Sequence, residues 1–321
     1  MVDLLNLKLL FIWMAALFPT TMTAMSTSST KRVALITGGN KGIGKEIVRM
    51  LCQNSINKEN GESWKVFLGS RDMDRGKAAV QEINQSLLPE SDCDAAKSTI
   101  ICCRLDLTCP DSIQSTYDQI KREEGHLDVL INNAAICFND PTLYGKVEYT
   151  PFEQQAEITV QTNFFGTLAV TETMIPLLKK SQSPRIINIA SSAGRLAILK
   201  STELLQTLTD PELQLPRLKE LMQTFVADVE AGSHAAKGWP NTCYGMSKLG
   251  IIALTKIILA RDYPEIMCNS VDPGFCATDQ NNQQGVLPAE RGAVTPVLLA
   301  SLPASDFLTG RHLFQEQEIA W

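Results

Sequence analysis

The sequence predicts one α/β domain, a doubly wound parallel sheet of seven strands covered by helices on both faces and carrying one helical insertion. Three observations predict it. After Lys31, short β-branched runs alternate with longer amphipathic stretches, the pattern of parallel strands joined by crossover helices. A glycine-rich turn separates the first run from the first helix. The composition, 44% hydrophobic and 20% charged over 321 residues, is that of a globular chain able to bury a large core.

The elements follow in order. Strand 33–37 (VALIT) leads to a helix over 43–54, whose Ile43, Ile47, Val48 and Leu51 share a face. Strand 65–69 precedes a helix at 74–86, strand 99–105 one at 110–124, and strand 128–132 a long one at 152–180. After strand 185–190, residues 196–240 hold no strand signal. There Leu218, Leu221, Met222, Phe225, Val226 and Val229 recur at helical spacing, so this is the insertion, either a packed surface flap or a wall of the ligand pocket. A helix at 242–262, strand 265–271, a helix at 288–301 and strand 311–314 complete the domain, 31–321. Right-handed crossovers place ligands at the carboxyl ends of such strands.

Charge and residue types exclude several functions. With 29 Lys+Arg against 35 Asp+Glu the net charge is −6, which offers no basic field to nucleic acid. The nine cysteines include no C-x-x-C pair and read as reduced thiols, which places the domain in the cytoplasm. Three scattered histidines give no material for a metal site or a Ser-His-Asp arrangement.

The extension 1–30 has three readings. Met25 opens MSTSSTKRVALITG, a polar start directly before the first strand, so that 1–24 is dispensable. The apolar run 9–18, flanked by Lys8 and Pro19, also has the layout of a signal or anchor, which would direct the chain to the endoplasmic reticulum or another membrane. A third reading packs it on the fold.

Thr37-Gly38-Gly39-Asn40-Lys41-Gly42-Ile43-Gly44 lies where a strand turns into a helix. Missing side chains let the backbone approach a pyrophosphate, and the helix N-terminus presents N–H groups and a positive dipole to it. Strand, loop and helix agree on a Rossmann-like dinucleotide site. After the second strand, where a carboxylate would hold a ribose 2′-hydroxyl, stands Arg71, a planar cation suited to a 2′-phosphate, with Lys41 as a second charge. That favours NADP(H). Asp72 keeps NAD open, and a surface Arg71–Asp72 pair is the bland alternative.

Tyr244 and Lys248 stand at i, i+4 on an apolar helix, where a cation lowers a phenol pKa and yields an acid/base group for carbonyl and alcohol chemistry. Asn188-Ile-Ala-Ser191-Ser192 and Asn132-Asn133-Ala134 end the fifth and fourth strands, at the ligand edge. Together with Asp106, Asn163 in NFFGT and Pro273-Gly274-x-x-x-Thr278, these motifs resemble the short-chain dehydrogenase/reductases over residues 32–321. SRDxxRG at 70–76, KGWPNTCYGMSK and the long insertion are similar to the monomeric carbonyl reductases that use NADPH.

The resemblance implies reduction of a small-molecule aldehyde, ketone or quinone. Tyr244 is implied as proton donor, Lys248 as ribose ligand and pKa depressor, Ser192 as the carbonyl's hydrogen-bond partner, and Asn163 as holder of a relay water. It also implies that Asp106 and Leu107 flank the adenine, Asn133 lines the cofactor cleft, Pro273 and Gly274 bind the cofactor, Thr278 holds the carboxamide, and Phe275 touches substrate. The insertion is implied to cover a helix face used elsewhere for oligomerisation, so a monomer is expected. Ala135, Asp272, Phe275 and Ala193-Gly194 depart from the family pattern, the last two pointing to a wider pocket. Rival readings are a membrane-associated steroid or retinoid dehydrogenase and a non-catalytic NADP-binding protein.

Overall fold

The computed structural model describes residues 31–56, 63–87, 98–138 and 149–321, so the readings of 1–30 and the thiol of Cys93 lie outside the described residues. One sheet has the order β3-β2-β1-β4-β5-β6-β7-β8. Its strands are β1 (Lys31–Thr37), β2 (Ser63–Ser70), β3 (Thr99–Arg104), β4 (Val129–Asn132), β5 (Arg185–Ile189), β6 (Met267–Asp272), β7 (Arg311–Phe314) and β8 (Gln317–Glu318). The seven predicted strands are all present and pair in parallel, whereas β8 is an addition that runs antiparallel to β7.

The eighth strand escaped the sequence because it has two residues, too few for a hydrophobic pattern. Its turn, Gln315 and Glu316, takes two successive positive φ angles of 49° and 63°, the geometry of a tight hairpin that usually uses Asn-Gly. Glu316 is fixed there by Arg291, at 2.8 and 2.9 Å, and by the Thr295 hydroxyl at 2.8 Å.

Alternation along the strands sorts the core into two layers. Val33, Leu35, Phe67, Leu130 and Ile186 fill one face, and Ala34, Ile36, Val66, Leu68, Ile131 and Ile187 the other. Helices α1 (Gly42–Ile56), α2 (Met73–Ser86), α3 (Pro110–Glu123), α4 (Phe152–Val160) and α5 (Thr167–Leu178) cross between strands, as does α10 (Ala289–Ser301). The predicted stretch 152–180 is α4 and α5 joined by a π-turn at Gln161–Gly166.

The insertion holds α6 (Thr202–Thr209) and α7 (Leu215–Glu230), and the six apolar residues read from its spacing are all buried. They press on α8 (Cys243–Ala253): a Cβ on Gly250 would come within 2.8 Å of the Met222 sulfur. Helix α8 continues through a π-turn (Leu254–Leu259) into α9 (Ala260–Asp262). Its span Cys243–Asp262 is apolar enough to cross a membrane, yet its most apolar window is 78% buried within the chain, the position of a core helix.

Candidate active site

Between its neighbours β2 and β4, β1 marks the point where strand order reverses, and its carboxyl end carries the glycine loop. Gly38 and Gly42 take positive φ angles of 65° and 51°, which only glycine adopts freely. At Gly44 a Cβ would lie 2.4 Å from both the Asn133 amide nitrogen and the Gly38 carbonyl. The loop is braced from β4. The Thr37 hydroxyl accepts hydrogen bonds from the backbone N–H groups of Asn133 and Ala134, both at 2.9 Å, and Asn133 Nδ2 donates to the Thr37 carbonyl at 2.9 Å. In this geometry both side chains hold the cradle's shape.

Beside the loop, Asn40, Lys41, Arg75, Ala79, Glu82 and Asp279 line an open cleft of about 420 Å³. Arg75, which the sequence reading did not single out although SRDxxRG contains it, is among these lining residues. Asp72, the residue that kept NAD open, caps α2 by accepting from the backbone N–H groups of Asp74 and Arg75 at 3.0 and 3.1 Å. The Arg75 N–H, first among several contacts, holds its carboxyl below the usual range. Its ion pair is with Arg75 at 3.5 Å, so the bland Arg71–Asp72 pair is not the one formed. Lys41 pairs with Asp279 at 3.5 Å.

At the far end, Thr242 caps α8 by accepting from the Gly245 N–H at 2.9 Å, which sets Tyr244 and Lys248 one turn apart over the ends of β4 and β5. Lys248 Nζ lies 5.6 Å from the Tyr244 ring centroid and donates to the Ile189 carbonyl at 2.7 Å. Burial pushes its pKa down to about 8, with Cys137 opposing. Burial also raises the Tyr244 phenol, against hydrogen bonds from the Gln280 and Ser191 side chains. The Cys137 thiol is pushed up to about 11 by burial.

The two serines differ in direction. Ser191, not Ser192, is the serine whose side chain acts on the Tyr244 phenol and opposes its upward shift. With φ −174° and ψ 151°, Ser191 is the last extended residue after β5 and its hydroxyl caps the short turn Ser192–Gly194 at 3.1 Å. Ser192 begins that turn and is exposed, its carbonyl accepting from Arg195 Nε at 2.9 Å. Asn163 sits buried in the π-turn, its amide paired in both directions with the Ile136 backbone at 2.8 Å and donating to Ser247 at 3.1 Å.

A family model for short chain dehydrogenases matches residues 32–202, more than half of the chain. The chain belongs to the short-chain dehydrogenase family. Over 291 residues it is 40% identical to carbonyl reductase (NADPH) 3 of Mus musculus, covering 86% of this chain and 93% of that one. It is 38% identical to carbonyl reductase (NADPH) 1 of Homo sapiens, with 86% and 93% covered. Among solved structures, salutaridine reductase of Papaver somniferum superposes with a TM-score of 0.74 at 30% identity, covering 88% of this chain and 99% of that one.

In this short-chain dehydrogenase the remaining predicted residues lie at the same edge of the sheet. Asp106 follows β3 and accepts from the Thr108 N–H and hydroxyl at 3.0 and 2.8 Å, while Leu107 is buried against Gly166. Ile43 packs toward α10, where a Cβ on Gly292 would come within 3.2 Å of it. Beyond Pro273, Gly274 turns at φ 82°, its N–H donating to Asp272 Oδ1 at 3.0 Å. Phe275 is 45% exposed. Thr278 faces Gly42 and forms a capping box with Asn281, whose Oδ1 accepts the Thr278 N–H at 3.1 Å.

Proposed function

We propose that the dehydrogenase reduces small-molecule carbonyl compounds, aldehydes, ketones or quinones, with NADPH. The observation that carries this reading is the joint placement of Tyr244, Lys248 and Ser191 at the edge of the sheet that also holds the glycine cradle. The cradle suits a dinucleotide because a Cβ at Gly44 would meet backbone and amide atoms, and α1 brings no acidic residue to its first turn. When bound, the cofactor supplies a hydride to the carbonyl carbon. Tyr244 gives its proton to the carbonyl oxygen, Ser191 hydrogen-bonds that oxygen, and the Lys248 ammonium stabilises the phenolate left behind. Lys41, Arg71 and Arg75 hold the 2′-phosphate.

The packing of α7 on α8 supports a monomer, since it covers that helix with the chain's own insertion. The free thiols among the described residues support a cytoplasmic setting. The test is oxidation of NADPH and of NADH by the full chain against quinones, aromatic aldehydes and steroid ketones, with Tyr244→Phe alongside. NADPH consumption with small carbonyls, lost by at least 10²-fold in the variant, is the expected result. Cofactor binding without turnover on any carbonyl would sink the reading.

A further inference from the structure

The hairpin that the sequence did not announce carries the chain across to the turn that follows β5. In it Gln317 and Glu318 pair with Phe314 and Leu313, Ile319 N donates to the His312 carbonyl at 2.9 Å, and Arg291 holds Glu316. Beyond it Trp321 packs, partly buried, on the core layer that contains α8, and its indole Nε1 donates to the Gly194 carbonyl at 3.3 Å. Gly194 ends the three-residue turn Ser192–Gly194, which is wedged against α8. A Cβ on Gly194 would come within 2.6 Å of Leu249 N and 2.7 Å of the Lys248 carbonyl carbon, and one on Gly245 within 2.6 Å of the Ala193 carbonyl oxygen. The turn thus lies along the stretch of helix that carries Tyr244 and Lys248. At its start the Gly194 N–H donates to the Ser191 carbonyl at 2.9 Å, and the Ala193 N–H to the Ser191 hydroxyl at 3.1 Å. The second bond occupies an acceptor site of the serine oxygen, which fixes its direction and leaves its proton to be donated elsewhere.

Resting on the reductase reading above, we infer that Trp321 is a positioning residue for Ser191. Held by the indole on one side and by α8 on the other, the turn keeps the Ala193 N–H against the Ser191 hydroxyl. The hydroxyl is thereby kept where, in that reading, it meets the carbonyl oxygen that Tyr244 protonates. An indole nitrogen only donates and takes a partner when it leaves water, so the contact sets the turn in one orientation. Without it the Gly194 carbonyl loses that donor and the outer side of the turn is released. Small displacements of a group that must meet the reacting atoms cost rate and leave the affinity for the cofactor as it was.

Trp321→Phe in the full chain keeps an aromatic ring and removes the donor. With NADPH and two unlike carbonyls, an aromatic aldehyde and a quinone, kcat is expected to fall about 3- to 10-fold for both, the worth of one hydrogen bond. The Kd of NADPH, read by fluorescence titration, should stay unchanged. In a Ser191→Ala background the same substitution should have no further effect, since the group it positions is gone. An unchanged kcat overturns the inference, and so does an equal loss in both backgrounds, which would make the effect independent of Ser191. A KM change confined to one carbonyl with kcat kept would make Trp321 a substrate contact, and loss of NADPH binding would make it a support of the whole core; either overturns the inference. Absence of any turnover by the unmodified chain overturns the functional reading and the inference with it; turnover with equal losses in the two backgrounds overturns the inference alone.

Discussion

Lys248 Nζ donates to the Ile189 carbonyl at 2.7 Å from a position only 4% exposed, so a charge is held inside the chain by a single backbone oxygen among its described partners. Its pKa falls from 10.5 to about 8. Between those values the unfolded chain binds more protons than the folded one, so the penalty on stability is full below pH 8 and disappears as pH rises through 10.5. It amounts to roughly 3 kcal/mol, from which the lost carbonyl bond, about 1 kcal/mol, is subtracted on replacement. Lys248→Met is thus expected to raise the Tm of the cofactor-free chain at pH 7 by several degrees, about 2–4 °C per kcal/mol, while abolishing turnover. The gain should fade toward pH 10. Melts at both pH values check it; a variant less stable than the parent at pH 7 would refute it.

Ser191 and Ser192 differ in direction. Ser191→Ala removes the hydroxyl proposed to hold the carbonyl oxygen and should lower kcat by about 10²-fold, with NADPH binding intact. Ser192→Ala, at an exposed position, should leave kcat within about twofold. Steady-state kinetics on the two variants decide the matter, and the reverse ranking would restore Ser192.

His312, 1% exposed on β7, has its pKa pushed down to about 4, chiefly by burial and then by Lys256, despite its Nδ1 contact with Ser270 at 2.9 Å. Below pH 6.5 the unfolded chain gains a proton that the folded one refuses until about pH 4, so stability falls across that window by up to roughly 3 kcal/mol. His312→Gln is expected to flatten the fall. Urea unfolding at pH 7, 5.5 and 4.5 reads it directly, and parallel profiles for parent and variant would remove His312 as the cause.

The seven parallel strands and the glycine loop were legible because each repeats a signal along several residues. The strands alternate apolar side chains over both layers, and the loop combines strand, glycines and helix. What was not legible depends on single torsions. The step from Ser191 to Ser192 reverses which hydroxyl faces Tyr244, and neither residue's type records that. The hairpin at Gln315-Glu316 lacks the glycine that would announce it, because Arg291 and Thr295 hold Glu316 instead. Arg75 lay in the SRDxxRG motif but lines the cleft four residues beyond the expected position, since Asp72 caps α2 and turns its first helical residues toward the cleft.

That cap bears on cofactor choice. Arg75 has a side chain 72% exposed and, among the described residues, a single ion-pair partner, Asp72 at 3.5 Å, a pair of a kind that contributes little in water. It is available to a 2′-phosphate that NADPH has and NADH lacks. Arg75→Glu and Arg71→Glu are therefore each expected to raise KM for NADPH by at least about tenfold, the worth of one charge-assisted contact, and to leave NADH nearly unchanged. Asp279→Asn should act the other way, freeing Lys41 from its 3.5 Å pair and lowering KM for NADPH. Because these cations are exposed, salt should weaken NADPH binding more than NADH binding. Fluorescence titration of both cofactors at low and high ionic strength measures all of this at once. An unchanged NADPH/NADH ratio in Arg75→Glu would exclude that residue from the phosphate site and leave Arg71 and Lys41 to account for the preference.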